Sequence, residues 1–326
     1  MHTAETMRTA TLDRVLALLV LAMAGTGLLA LKAGGPGGAW VFVLHDLVGG
    51  ALLVAVLAKV RRSVPPAIRA GHIQAVALSL VLLLAIAGAL LGGFAWVASG
   101  RLLAVGPWTV LTLHVWLGLA VVPLVVLHLL PRRWRAIRPP ARGGISRRTV
   151  LVGGGFAVAG LLAFGVTSTL DRLLGGVRRP TGSRWLTPGS IPPATTFYGE
   201  ASPTIDVDAW RLKANQRTLS LDDLGALGEV DMTAVLDCTS GWAVETTWRG
   251  VPLRSIIDTP ERRSVRVRSV TGWSTVLTPA EANVALLATA VAGVPLPAEN
   301  GAPCRLVVPG RRGLDWVKWV DEVSIA

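Results

Sequence analysis

Residues 108–130 read WTVLTLHVWLGLAVVPLVVLHLL, a stretch without a single charged side chain. A helix needs about 20 predominantly apolar residues to cross the hydrocarbon core of a bilayer, so this stretch predicts a membrane span. Four other stretches share its length and apolar character. The five predicted spans are residues 15–31, 40–60, 72–98, 108–130 and 150–170.

The composition of the 326 residues agrees with this prediction. Hydrophobic residues make up 52% of the chain and charged residues only 16%, against about 25% charged residues in soluble globular proteins. This apolar material excludes a disordered chain. The net charge of +12 comes largely from arginines in short loops between apolar runs, which indicates the positive-inside pattern of membrane proteins rather than a nucleic-acid partner.

The distribution of basic residues predicts the orientation in the cell membrane. The loop between spans 2 and 3 carries Lys59, Arg61, Arg62 and Arg69, and residues 131–149 carry seven arginines, with no acidic residue in either loop. Both loops and the N-terminus are therefore expected in the cytoplasm. An odd number of spans then places everything after span 5 outside the cytoplasm.

From about residue 182 the long apolar runs give way to short alternating segments, which indicates a strand-rich α+β domain. Short helices are expected to begin near Pro252 and Pro279. The predicted fold is an all-α membrane bundle of five transmembrane helices followed by this domain. The predicted strands are residues 231–238, 243–248, 264–270, 303–308 and 318–325.

Four histidines lie in the predicted spans, where ionisable residues mark functional sites by default. By depth they form an outer pair, His45 with His114, and an inner pair, His72 with His128. His114 and His128 lie on one helix, about 21 Å apart along its axis and within about 40° of the same face. Each histidine could instead be a polar contact between helices.

Two imidazoles that face each other across a helical bundle can supply both axial ligands of a haem iron. The two pairs therefore predict two b-type haems, with a single haem on the outer pair as the alternative. The bundle resembles the four-helix b-type cytochromes in architecture, without a distinctive sequence motif.

The segment SRRTVL at residues 146–151 opens span 5. It resembles the S-R-R-x-F-L motif of twin-arginine export signals, with Val150 where Phe is usual. That route exports folded proteins, often with a cofactor already inserted. The resemblance implies the twin-arginine export machinery as a partner, and the alternative is an ordinary positive-inside flank.

The two cysteines, Cys238 and Cys304, both fall in the predicted outer domain. A disulfide is the default in an oxidising compartment, and the alternative is that one cysteine is a metal ligand. Four runs, LDCTSGW at 236–242, TWRGVPL at 247–253, GAPCRLVVPGRRG at 301–313 and VKWV at 317–320, resemble the molybdopterin-binding domain of the sulfite oxidase family. The resemblance covers about residues 196–326 and includes the periplasmic methionine sulfoxide reductase branch.

The resemblance implies that Cys238 is the thiolate ligand of molybdenum, and a soft anionic thiolate suits this metal. Lys318 matches the family's lysine near the pterin. Guanidinium groups pair well with oxyanions, although each arginine could instead belong to a solvated basic edge. The candidates for the pterin phosphate or an anionic substrate are Arg305, Arg311 and Arg312.

Two departures from the family pattern argue against sulfite as the substrate. Trp273 occupies the place of a common active-site tyrosine and is therefore a candidate catalytic residue, and Asn300 replaces a histidine. Cys304 is expected in the hydrophobic core.

Together these inferences predict a membrane-anchored molybdopterin-dependent oxidoreductase. It would transfer an oxygen atom on a small extracytoplasmic substrate, with electrons relayed through membrane haems and a quinone or another carrier, in a direction that is left open. The alternative is a non-catalytic redox or sensing membrane cytochrome. The predicted segments are a cytochrome b-like four-helix domain (1–135), a basic cytoplasmic linker (136–149), the fifth transmembrane helix (150–174), a linker (175–195) and the molybdopterin-binding domain (196–326).

Overall fold

The computed structural model of the protein divides the chain into two compact units. One comprises Met1–Ala30 and Gly37–Val177, and the other comprises Leu31–Pro36 and Arg178–Ala326. The residues that the structure describes are 2–71, 73–99, 101–106, 108–130, 147–174, 178–189, 191–192, 201–257 and 263–326.

Five long helices form the described part of the first unit, and each contains a window long and apolar enough to cross a membrane. The predicted number of such helices is therefore confirmed. The helix α2 runs past the predicted end at residue 60 and continues through Pro65 and Pro66 to Arg69. The helices are α1 (His2–Ala30), α2 (Ala39–Arg69), α3 (Ile73–Ala98), α4 (Val110–Leu129) and α5 (Arg147–Leu174); the two-residue strands β1 (Ala104–Val105) and β2 (Trp108–Thr109) precede α4.

The helices pack in pairs, α1 with α2, α3 with α4 and α2 with α5. Glycine allows the closest approach, where α2 meets α5: a Cβ added to Gly160 would lie 2.5 Å from the carbonyl oxygen of Leu47. Small residues permit such backbone contact in membrane helices. By contrast, a Cβ at Gly153, Gly154 or Gly155 would meet no atom of the described residues within 4 Å. Of these four glycines in span 5, Gly160 is therefore the one that packs closely against another helix.

The described second unit contains two sheets around one hydrophobic core. The strands are β3 (Arg184–Trp185), β4 (Leu212–Ala214), β5 (Arg217–Leu219), β6 (Val230–Asp237), β7 (Trp242–Pro252), β8 (Val265–Ser269), β9 (Ser274–Leu277), β10 (Leu286–Val291), β11 (Val294–Pro295), β12 (Arg305–Val307) and β13 (Val320–Ile325). The first sheet has the order β11-β10-β7-β3, and in it β12 also pairs with β10 and β6 with β7. The second sheet has the order β5-β4-β13-β8-β9. The helices are α6 (Leu221–Ala226), α7 (Leu253–Ile256) and α8 (Pro279–Val284).

The five strands predicted from the sequence correspond to β6, β7, β8, β12 and β13, and the expected helices near Pro252 and Pro279 are α7 and α8. The α+β fold class is therefore confirmed. Several strands were not predicted, among them β10, whose apolar run LLATAV has no period-2 alternation because both of its faces are largely buried. Residues 178–189, which fall in the predicted linker 175–195, lie in the second unit and include β3.

The close contact between Gly160 and Leu47 can be tested by substitution. We expect Gly160→Val to destabilise the first unit by about 1–3 kcal/mol, because the new side chain forces α2 and α5 apart. Gly154→Val is the matched control, since a Cβ at that position meets no atom of the described residues within 4 Å. Thermal unfolding in detergent compares the two variants, and equal losses in both would contradict the packing role of Gly160.

Candidate functional site

Cys238 lies in a tight turn between β6 and β7, whose pairing ends at Asp237 and Ala243. The N–H of Cys238 donates to the carbonyl of Trp242 at 2.8 Å, and the N–H of Gly241 donates to the carbonyl of Cys238 at 3.0 Å. Gly241 has a φ of +94°, a left-handed conformation that favours glycine. The turn therefore holds the backbone of Cys238 from both sides.

Cys238 is a free, half-buried cysteine, and the backbone of Gly313 packs directly on its turn. A Cβ added to Gly313 would lie 3.4 Å from Cys238 Cα and 3.2 Å from the carbonyl oxygen of Asp237. Glycine at this position therefore allows the neighbouring Arg312 to lie close to the cysteine.

Arg312 is buried and donates from one Nη to the carbonyl of Cys238 at 3.2 Å. The same nitrogen contacts Ser183 Oγ at 3.2 Å and Asp237 Oδ1 at 3.4 Å. Burial lowers the pKa of Arg312, and the carboxylate of Asp237 offsets part of that effect. The guanidinium thus joins this carboxylate to the backbone of the Cys238 turn.

Arg305 is a second buried arginine of this unit, and it lies on β12. Its guanidinium lies 5.6 Å from the ring centroid of Trp248 and 6.0 Å from that of Trp316, and it donates to the carbonyl of Asn300 at 2.9 Å. Burial lowers the pKa of Arg305 to about 10, and Cys238 acts in the opposite direction. Among the described residues, Arg305 Nε has no hydrogen-bond partner.

The segment that carries Arg305 contains another buried polar atom of this kind. Asn300 is buried, and its Oδ1 has no hydrogen-bond partner within the described ranges. Next to it, Gly301 has a φ of +114°, and a Cβ there would lie 3.1 Å from Lys318 Cβ and 3.2 Å from Arg305 Cβ. The close approach at Gly301 therefore brings Lys318 and Arg305 to the same turn.

Lys318 Nζ donates to the carbonyl of Glu299 at 3.1 Å and lies 4.5 Å from the ring centroid of Trp319. Trp273 lies between β8 and β9 with 39% of its surface exposed, and its indole N–H donates to the carbonyl of Leu314 at 3.1 Å. Trp273 is thereby attached to the segment that begins at Gly313.

Arg311 points to a different set of partners. Its guanidinium forms two 2.6 Å hydrogen bonds with the carboxylate of Glu281 and one of 3.2 Å with Thr275 Oγ1. A cavity of about 330 Å³ is lined by Arg311, Asp237 and Arg179 among others. The charge of Arg311 is paired with the carboxylate of Glu281. Its predicted role in anion binding stays a prediction.

Cys304 is fully buried and free, and burial raises the pKa of its thiol. Its backbone carbonyl accepts from Val320 at 2.9 Å. The structure therefore places Cys304 in the core of the second unit, as the sequence predicted.

In the first unit, His45 on α2 faces His114 on α4, with ring centroids 5.9 Å apart and an interplanar angle of 82°. His114 Nδ1 donates to the carbonyl of Ala89 at 2.7 Å. Thr26 Oγ1 donates to the carbonyl of Ala22 at 2.7 Å and forms a hydrogen bond of 2.8 Å with His45 Nδ1. Because a carbonyl can only accept, His114 carries a proton on Nδ1, and its Nε2 keeps a lone pair.

The prediction of an inner pair reaches beyond the described residues, because His72 lies outside them. His128 lies in the last turn of α4. The twin-arginine segment is described from Arg147, where α5 begins.

Sequence reasoning did not identify Asp237, Ser183 and Thr26 as parts of the two sites. Asp237 directly precedes the predicted metal ligand Cys238. This adjacency was a signal in the sequence that could have identified it as part of the site. Ser183 and Thr26 carry no local signal, because hydroxyl residues are common both in loops and in membrane helices.

Residues 199–326 match the family model described as "Oxidoreductase molybdopterin binding domain". The second unit therefore contains a molybdopterin-binding oxidoreductase domain, which confirms that part of the resemblance.

Two relatives are the protein-methionine-sulfoxide reductase catalytic subunits MsrP of Xanthomonas campestris pv. campestris and Xanthomonas axonopodis pv. citri. Each is 30% identical over 156 residues, which cover 39% of this chain and 48% of the relative. The chain thus spans about half the length of these relatives. Among solved structures, the sulfane dehydrogenase SoxCD of Paracoccus pantotrophus is similar, with a TM-score of 0.35 and 23% identity over 38% of this chain and 40% of that chain.

The pair of Arg311 with Glu281 generates a pH prediction. Burial of the carboxyl group opposes ionisation, but hydrogen bonds from Arg311 and Thr278 outweigh it and lower the pKa of Glu281 from 4.5 to about 2. A depressed pKa in the folded state stabilises the protein above the unfolded value of 4.5, and this stabilisation is lost as the pH falls towards 2.

We therefore expect the free energy of unfolding of the second unit to depend less on pH in Glu281→Gln than in the wild type over this acidic range. Denaturant unfolding at a series of pH values measures both curves. Parallel curves would contradict the assigned pKa.

Proposed function

We propose that the protein is a membrane-anchored, molybdenum-dependent oxidoreductase that transfers an oxygen atom on a small extracytoplasmic substrate. Electrons would pass between this domain and b-type haems in the helical unit. The observation that carries the proposal is the Cys238 turn, where a buried arginine, Arg312, donates to the carbonyl of the free cysteine, inside a domain that matches molybdopterin-binding oxidoreductases.

The residues present fit a large anionic cofactor. Two buried polar atoms, Arg305 Nε and Asn300 Oδ1, lack partners in the described part of the chain, and such atoms cost free energy unless a ligand or water satisfies them. A buried guanidinium is also expensive without an anion. A cofactor that carries phosphate and thiolate groups would satisfy both requirements.

Each residue would have a separate task. Cys238 would bind the metal through its thiolate, while Arg305 and Arg312 balance the negative charge of that sulfur. Lys318 and Asn300 would bind the pterin. Trp273 would form the wall of the substrate site, where its indole N–H stays bound to Leu314. When bound, molybdenum–molybdopterin supplies two-electron oxygen-atom exchange.

The proposed substrate class is supported by the relatives and by one substitution in the family pattern. Both MsrP proteins are methionine-sulfoxide reductase subunits, which favours an S-oxide as substrate and electron flow from the haems to the domain. The tryptophan at position 273, which is 39% exposed, would give the substrate site an apolar wall, which suits the alkyl groups of a sulfoxide better than sulfite.

The haem part of the proposal is supported by the facing imidazoles of His45 and His114. A metal bound to two imidazole nitrogens at about 2 Å each separates the ring centroids by about 6 Å, and the observed separation is 5.9 Å. The Nδ1 hydrogen bonds of both rings are of the kind that orient metal-ligating histidines.

Glycine lets the ring of His114 lie close to the backbone of α3, because a Cβ at Gly93 would lie 3.1 Å from that ring. A Cβ at Gly27 would lie 3.5 Å from His45 Cε1, which is an ordinary van der Waals distance. His72 and His128 would bind a second haem near the cytoplasmic face. The basic loops and the twin-arginine segment support a cytoplasmic N-terminus and an exported domain, and a quinone is the expected electron donor.

The competing function is a non-catalytic redox or sensing protein. The indole of Trp273 in place of an acidic tyrosine hydroxyl favours it, because that indole is a poor proton donor. The first experiment below separates the two functions.

We expect the purified wild type to contain about one molybdenum per chain and to reduce methionine sulfoxide with an artificial electron donor. Cys238→Ser should lower the rate more than about 100-fold, since removal of a ligand costs more than loss of an outer-shell contact. Cys304→Ala is the control and should keep the activity. Molybdenum without turnover in the wild type would favour the non-catalytic function.

We expect His45→Leu and His114→Leu each to remove about half of the b-type α-band in the reduced-minus-oxidised spectrum, because one of two haems loses an axial ligand. His128→Leu should remove the other half, and His2→Ala should change nothing. An unchanged spectrum in His128→Leu would indicate a single haem, and an unchanged spectrum in His45→Leu would refute the outer site.

A further inference from the structure

The carboxylate of Asp237, the residue before Cys238, is 1% exposed and has donors on both oxygens. Oδ2 accepts from Arg179 Nε at 3.0 Å and from Thr181 Oγ1 at 2.7 Å. Oδ1 accepts from Ser183 Oγ at 2.6 Å and from Arg312 at 3.4 Å. Three of the four donors thus come from Arg179–Ser183, the segment that follows the last long helix in the chain.

The segment 179–183 is itself a closed turn. The N–H of Arg179 donates to the carbonyl of Ser183 at 2.8 Å, and the N–H of Gly182 donates to the carbonyl of Arg179 at 2.9 Å. Gly182 has a φ of +77°, which favours glycine. The three donor side chains are therefore held in one fixed arrangement.

The same segment also reaches the other end of the Cys238 turn. The N–H of Arg184 donates to the carbonyl of Gly241 at 2.8 Å, and β3 continues as a parallel partner of β7. Side-chain bonds thus reach Asp237 before the cysteine, and a backbone bond reaches Gly241 after it. Ser183 additionally accepts from Arg312, which donates to the carbonyl of Cys238.

Stability alone does not explain why a buried polar network occupies this position. Apolar side chains of similar volume are often as stabilising as buried charges, whereas a fully satisfied polar network specifies one arrangement of the backbone. The network surrounds the one turn that carries the free, half-buried thiol.

We propose that Arg179, Thr181 and Ser183 are positioning residues of the candidate molybdenum site, which act on Cys238 through Asp237. The inference rests on the proposed function, because it assumes that Cys238 binds the metal. Residues 179–183 would then help to position the metal ligand, in addition to connecting the two units.

The test compares full-length variants loaded with cofactor. Thr181→Val removes one hydrogen bond to Asp237, and Thr181→Ser restores it. Thr246→Val is the matched control, because Thr246 is buried on β7 and its Oγ1 has no hydrogen-bond partner in the described residues. Arg179→Gln is a second variant at a more exposed position, which serves if Thr181→Val does not fold.

We expect Thr181→Val and Arg179→Gln to shift the g values of the Mo(V) electron paramagnetic resonance signal. We also expect molybdenum loss on incubation to accelerate about tenfold or more. Thr181→Ser and Thr246→Val should match the wild type in both measurements.

Wild-type spectra and loss rates in Thr181→Val and Arg179→Gln would overturn the inference, as would equal changes in Thr246→Val. If Cys238→Ser gave the wild-type signal, or the wild type bound no molybdenum, the proposed function itself would fail and the inference with it.

Discussion

A carboxylate buried away from water must be hydrogen bonded by the protein, and in the second unit this constraint acts on Asp237. Its donors come from positions far apart in the chain, at residues 179–183 and at Arg312. The arrangement of the Cys238 turn, the segment after α5 and the loop around Gly313 follows from satisfying this one group. Removing a single donor leaves a buried charge partly uncompensated, which costs more than the lost bond itself.

The first unit obeys a related constraint. If it crosses a bilayer as proposed, its backbone groups must be satisfied within helices, and its polar side chains must find partners inside the bundle. His45 and His114 meet this requirement through Thr26 and Ala89. Glycine at position 93 lets the ring of His114 lie close to the backbone of α3.

The sequence was sufficient to predict what depends on local pattern. Long apolar runs predicted the five helices, and alternation predicted β6, β7 and β8. The run at residues 301–313 led to Arg305, Arg311 and Arg312 as candidates, and the structure places Arg312 on the carbonyl of Cys238. It was not sufficient where tertiary burial decides. Thr181 and Ser183 lie in a Pro- and Gly-containing stretch that is typical of a solvated linker, and only the folded chain shows that both are buried. Arg311 and Arg312 are adjacent in the chain, yet the first pairs with Glu281 and the second with the Cys238 turn.

The two imidazoles of the outer pair differ in what their Nδ1 groups contact, one a hydroxyl and the other a main-chain carbonyl. A carbonyl is present whatever amino acid occupies position 89, whereas the hydroxyl at position 26 disappears with a single substitution. If the pair binds a haem, its reduction potential can evolve through position 26 while the contact of His114 stays constant. One face of the cofactor would then be open to evolutionary adjustment, and the other would be protected by the helix backbone.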